Sequence, residues 1–130
     1  MIAFDSSALT KLVVREEETA PLRAWLAVRD EAAWSASSLT RVEVVRAVAR
    51  AQAAAVPTAR RLLAGMDLVP LGPGVLEVAA DLGPPSLRSL GALHLATALT
   101  LGSALDAFVV YDERLAQAAV DAGLPVVAPS

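Results

Sequence analysis

Short apolar runs alternate with longer amphipathic stretches along the whole chain, and the two periods predict strands and helices in turn. Ile2 to Asp5 reads as strand 1, and a short helix follows through Val14, with Ser6 or Ser7 able to cap its N-terminus. A second helix runs from Thr19 to Arg29 with Leu22, Trp25, Leu26 and Val28 as its apolar side. Ala33 to Ala36 is strand 2. Helix 3 runs from Leu39 to Ala54, where Leu39, Val42, Val45 and Ala49 recur every three or four residues. Pro57 opens helix 4, which ends near Gly65. Leu68 to Leu71 is strand 3, Gly72 to Gly74 a turn, and helix 5 continues through Leu82. After the break at Gly83, Pro84 and Pro85, helix 6 spans Ser89 to Leu101. Phe108 to Tyr111 is strand 4, Glu113 to Ala122 helix 7, and Val126 to Ala128 a final strand. Alternating units of this size predict an α/β domain, residues 1–130, with a mostly parallel sheet flanked by helices.

Two strands end on a carboxylate. Asp5 closes the first apolar run and Asp112 closes the fourth. In open α/β sheets the carboxyl edge of the strands is where ligands sit. Each acid also has a plainer role, as N-cap of the helix that follows. Glu43 lies inside helix 3 among valines. It has capping-box spacing from Thr40 and can pair with Arg46, or it points into a polar pocket shared with the strand-end acids. His94, the one histidine, lies among leucines and reads as a hydrogen-bonded core residue. Glu16, Glu17 and Glu18 form a charge run expected to be solvated. Leu12, Trp25 and Leu26 read as core rather than partner surface.

Composition narrows the chemistry. The 130 residues are 55% hydrophobic and 19% charged, enough for one folded core. No apolar stretch approaches the ~18 residues of a membrane span, and Asp5 interrupts the first run, so neither a span nor a signal peptide is expected and the cytoplasm is. Without cysteine there is no thiolate site or Cys nucleophile, and a single histidine argues against zinc. An all-oxygen donor set favours Mg²⁺ or Mn²⁺. A net charge of −3 excludes a bulk polyanion binder but leaves a local basic face open. Glu77 stands where a dinucleotide loop starting at Gly72 needs its third glycine, and there is no Walker A motif or Gly-x-Ser-x-Gly elbow.

Four segments together resemble the PIN-domain ribonuclease toxins of bacterial type II toxin–antitoxin systems, the VapC family. They are residues 1–12 (MIAFDSSALTKL), 38–47 (SLTRVEVVRA), 87–98 (LRSLGALHLATA) and 108–119 (FVVYDERLAQAA). The resemblance implies a three-layer α/β/α domain with an acidic pocket at the strand ends that binds Mg²⁺ or Mn²⁺. Mapped onto this chain, it makes Asp5, Glu43 and Asp112 the catalytic acids, with Asp5 and Asp112 as metal ligands. It also implies RNA as substrate, a cognate antitoxin and a homodimer. Arg46 and Arg50, with Arg41, Arg60 and Arg61 behind them, are the candidates for RNA backbone contacts.

Two positions depart from the family pattern. Gly91 stands where a third acid, normally Asp, is expected, and Val110 stands where Thr or Ser precedes Tyr-Asp. Glycine supplies no ligand, and Asp81 and Asp106 are poorly placed to replace it. The expectation is a weakened or inactive nuclease; the alternative is a PIN-like module that binds antitoxin or RNA without cutting.

Overall fold

A computed structural model describes residues 1–130. Its elements are β1 (Ile2–Phe4), α1 (Ser6–Val13), α2 (Thr19–Ala27), β2 (Trp34–Ser37), α3 (Thr40–Ala51), α4 (Val56–Ala64), β3 (Asp67–Val69), α5 (Pro73–Asp81), α6 (Ser89–Thr100), β4 (Ala107–Val109), α7 (Glu113–Asp121) and β5 (Val126–Val127). The five strands form one sheet in the order β3-β2-β1-β4-β5, and every neighbouring pair is parallel. The chain lays β2 and β3 on one side of β1, then returns to lay β4 and β5 on the other. The order therefore reverses between β1 and β4, which are in register with Phe4 opposite Val109. At such a switch point adjacent loops leave in opposite directions and open a crevice.

Side chains alternate across the strands. Ile2, Phe4 and Val109 join a core with Leu9, Leu22, Val44 and Leu63, so α1 to α4 cover that face. Ala3, Phe108 and Val110 join a second core with Leu95, Leu115 and Ala119, so α6 and α7 cover the other. Helix α5 packs on α6 through Val75, Ala79, Ala92 and Ala96. The result is the expected α/β/α arrangement, with β1 and β4 buried on both sides.

Several boundaries differ from the pattern-based reading. The third helix stops at Ala51 because Gln52 is extended (φ −158°, ψ 84°), and a 3₁₀ turn at Ala53–Ala55 leads into α4. Helix α4 begins at Val56, one residue before Pro57. Pro73 and Gly74 are no free-standing turn: they are the first residues of α5, where a missing proline N–H costs nothing. Strand β3 ends at Val69 because Pro70 has no N–H to donate. Lys11 sits between Glu16 (2.8 Å) and Glu18 (3.0 Å), so two residues of the acidic run are paired rather than only solvated. Leu26 is buried, and Leu12 and Trp25 pack against the same core, as expected. No helix is long and apolar enough to cross a membrane.

Candidate active site at the strand ends

Asp5 follows β1 directly and caps α1: its Oδ1 accepts from the Ala8 backbone N–H at 2.8 Å. Of the three candidate caps, Asp5, Ser6 and Ser7, the structure uses Asp5. The Ser7 hydroxyl instead lies 2.8 Å from both oxygens of Asp5, and Ser6 turns toward Glu43. Asp112 does the same at the next strand end, its Oδ1 accepting from the Leu115 N–H at 2.9 Å to cap α7. Capping and a place at the switch point are thus not alternatives; both acids have both.

Glu43 adopts neither of its plain roles. Thr40 donates to the Ser37 carbonyl and caps nothing, and no ion pair forms with Arg46. The Glu43 carboxylate accepts from the Ser6 hydroxyl at 2.7 Å and meets His94 Nε2 at 2.6 Å. His94 is 5% exposed and hydrogen-bonded, as its leucine-rich setting predicts, but its partner is this acid from another helix. Its Nδ1 is buried without a partner.

These residues line one cleft of about 620 Å³. Asp5, Glu43, Asp112 and Glu113 supply its acids, Gly91 and His94 one wall, and Arg88 and Arg114 its basic rim. A second groove of about 640 Å³ shares Ser6, Ser7, Glu43 and Leu90 with it and carries Arg46 and Arg50. Arg41, Arg60 and Arg61 line neither. Asp106 lies at the opposite edge of the sheet, against the Met1 ammonium, and Asp81 lines neither cavity. Val110 is wholly buried in the second core.

The electrostatics of the cleft follow from burial. Asp5 is 3% exposed, and burial pushes its carboxyl above the ordinary range. The Ala8 N–H, the Ser7 hydroxyl and the charge facing it from His94 oppose that rise, and the Asp112 carboxylate adds to it. Glu43 balances the other way. Burial pushes it up, but the bonds from His94 and Ser6 outweigh burial and hold it below the usual value.

Two carboxylates that repel one another across a polar cleft suit a hard divalent cation, and Mg²⁺ is commonly held by one or two protein carboxylates with water and substrate phosphate completing its shell. Asp5 and Asp112 fit that mode. A complete protein cage is not present: no three His, Asp or Glu side chains cluster closely enough to hold an ion among themselves. Glu43 is committed to Ser6 and His94, and Gly91 offers no donor. A Cβ at Gly91 would meet Leu87 Cδ1 at 3.1 Å and Leu115 Cδ1 at 4.0 Å, the ends of flexible side chains.

Sequence reasoning missed three participants. Ser6 was read as a helix cap, and Arg88 and Arg114 were not singled out, although one lies three residues before Gly91 and the other two after Asp112. Their positions relative to those two marked residues were the available signal.

Comparison with known proteins bears on this geometry. The PIN domain family model matches residues 2–121. Ribonuclease VapC47 of Mycobacterium tuberculosis (strain CDC 1551 / Oshkosh) is 44% identical over 132 residues, covering 99% of this chain and 97% of that one. Ribonuclease VapC46 of Mycobacterium tuberculosis (strain ATCC 25618 / H37Rv) is 43% identical over 129 residues, covering 99% and 98%. Among solved structures, the Sarcin-Ricin loop cleaving toxin VapC20 of Mycobacterium tuberculosis superposes with a TM-score of 0.78 at 16% identity, covering 99% of this chain and 100% of that one, and so shares the fold. With the match running through all four segments and both strand-end acids, the chain belongs to the VapC family of PIN-domain proteins.

Proposed function

We propose that this chain is a VapC-type endoribonuclease toxin whose cutting of RNA phosphodiester bonds is weakened or lost through Gly91. The observation that carries the reading is the convergence of Asp5, Glu43 and Asp112 on one cleft at the β1/β4 switch point, with a bare helical position facing the same space. Asp5 and Asp112 would hold Mg²⁺ or Mn²⁺, which lowers the pKa of bound water and offsets phosphate charge. Glu43, kept ionised by His94 and Ser6, adds its negative charge to the cleft and fixes both side chains beside it. The groove beside the cleft presents Arg46 and Arg50 to the RNA backbone. Family relatives bearing the name ribonuclease support RNA as the substrate. A cognate antitoxin as binding partner, a homodimeric working form, a single functional unit of residues 1–130 and a cytoplasmic setting belong to the same reading.

The test is to make Gly91→Asp and assay RNA cleavage with Mg²⁺. Gly91→Asp should cut faster than the unmodified chain, and Asp5→Ala should abolish the gain. No gain over the unmodified chain would sink the proposal that Gly91 is the defect. That no three of these acids lie close enough to hold one ion among themselves favours a second reading, a module that grips antitoxin or RNA without cutting. It predicts RNA or antitoxin binding by the Gly91→Asp variant, with no cleavage at any Mg²⁺ concentration.

A further inference from the structure

The cleft has an imbalance at each end. Toward a cation it offers Asp5 and Asp112, each already accepting the N–H that caps its helix, while Glu43 is engaged by His94 and Ser6 and residue 91 has no side chain. Toward an anion it offers Arg88 and Arg114. Both are exposed, both line the cleft, and neither forms an ion pair within the protein. A phosphodiester entering alone meets two arginines but also Asp5, Glu43, Asp112 and Glu113. A divalent ion entering alone meets too few donors, since no three His, Asp or Glu side chains lie close enough to hold it among themselves.

We propose that this cleft takes its divalent cation and an RNA phosphodiester as a pair, the phosphate oxygen filling the place left bare at Gly91 while Arg88 and Arg114 hold the phosphate. The inference rests on the proposed metal and RNA site and adds how this chain loads it. Each ligand supplies what the other lacks. The phosphate completes the oxygen donors, and the cation cancels the acids that repel the phosphate. Two ligands that each raise the other's affinity do so by the same factor, and such couplings commonly amount to about 5–150-fold. Mg²⁺ sites built from one or two carboxylates plus substrate phosphate work in this manner.

The experiment is calorimetric titration of the full chain with Mn²⁺, with and without a saturating short single-stranded DNA oligonucleotide, corrected for Mn²⁺ bound by the oligonucleotide alone. DNA presents the phosphodiester but lacks the 2′-hydroxyl. The expected result is Mn²⁺ binding that tightens about tenfold or more with the oligonucleotide, and oligonucleotide binding that tightens by the same factor with Mn²⁺. In the Arg88→Gln, Arg114→Gln double variant the coupling should fall to about twofold or less. Gly91→Asp should bind Mn²⁺ without the oligonucleotide and show a smaller coupling than the parent chain. Equal Mn²⁺ affinity with and without bound oligonucleotide would overturn the inference, as would full coupling in the double variant. Mn²⁺ binding by Gly91→Asp in those cases would leave the metal reading of the site standing. Failure of Mn²⁺ to bind either chain, with or without oligonucleotide, would overturn both.

Discussion

Replacing Asp5 by Asn should make this protein more stable. The side chain is 3% exposed, and its charged form has been moved from water into the protein at the edge of the cleft. Loss of hydration around a buried ion costs several kcal/mol even after relaxation. Three contacts recover part of that cost: the Ala8 N–H and the Ser7 hydroxyl beside both oxygens. They do not recover all of it, because the carboxyl remains above its ordinary value, and each unit of such a rise corresponds to about 1.4 kcal/mol against the ionised form. Asn keeps an oxygen for the Ala8 N–H and caps helices as well as Asp does. It gives up an ion–dipole term of about 0.3–1 kcal/mol at the start of α1. The net change is a gain, and for a domain of this size each kcal/mol of it raises Tm by roughly 3–6 °C.

The pH dependence separates this account from a general packing effect. A carboxyl whose folded-state pKa is raised penalises folding at pH values above that pKa. The penalty fades as pH falls through it and is gone below the unfolded value near 3.8. The advantage of the Asp5→Asn variant should therefore be full at pH 7 and shrink toward acid. Thermal unfolding of both chains in chelator, followed by circular dichroism from pH 7 down to pH 3, measures it. A lower Tm for Asp5→Asn at pH 7, or a gain unchanged at pH 3, would refute the reasoning.

Glu43 carries the opposite sign. Its lowered pKa contributes stability present above the unfolded value of 4.5 and lost as pH falls through the folded one, so the deficit of Glu43→Gln in urea melts should be visible at pH 7 and shrink in acid. His94→Leu leaves Glu43 with Ser6 alone, and a loss of about 1–3 kcal/mol in denaturant unfolding is expected for the orphaned acceptor. Phe108→Ala, at a ring 1% exposed in the centre of β4, should cost about 3–5 kcal/mol by the same measurement. If Arg46 and Arg50 contact RNA phosphates, changing both to Ser should weaken binding of unrelated single strands alike and reduce the slope of log K against log salt by about 0.7 per residue, read by fluorescence anisotropy.

The sheet was legible because β1 and β4 are short apolar runs buried on both faces, and the strand-end acids were legible because Asp5 and Asp112 interrupt those runs where a helix must begin. Glu43 was partly legible, since a carboxylate among valines needs a reason. Its actual partner was not, because His94 lies 51 residues away on a helix whose leucines give no sign of which side faces the cleft. The division of labour between Asp5 and the two serines was hidden for a different reason. Asp5, Ser6 and Ser7 are all good caps, and tertiary structure breaks the tie: Glu43 draws Ser6 across to α3, leaving Asp5 to the Ala8 N–H with Ser7 against its carboxylate.

The helix starts explain where the strand-end acids of the cleft sit, but not why residue 91 is glycine. Asp5 and Asp112 are held by the same N–H groups that every helix start must satisfy, so α1 and α7 orient two carboxylates while completing their own first turns. Residue 91 lies in the first turn of α6, where a carboxylate would have been favoured by the helix dipole by about 0.3–1 kcal/mol and where glycine carries its usual entropic disadvantage. A side chain there would meet the tip of Leu87 at 3.1 Å, a flexible end that has to give way by a few tenths of an ångström. Neither backbone geometry nor packing calls for glycine there. At Asp5 and Asp112 a helix cap and a place on the cleft coincide, whereas the fold gives no reason for glycine at residue 91.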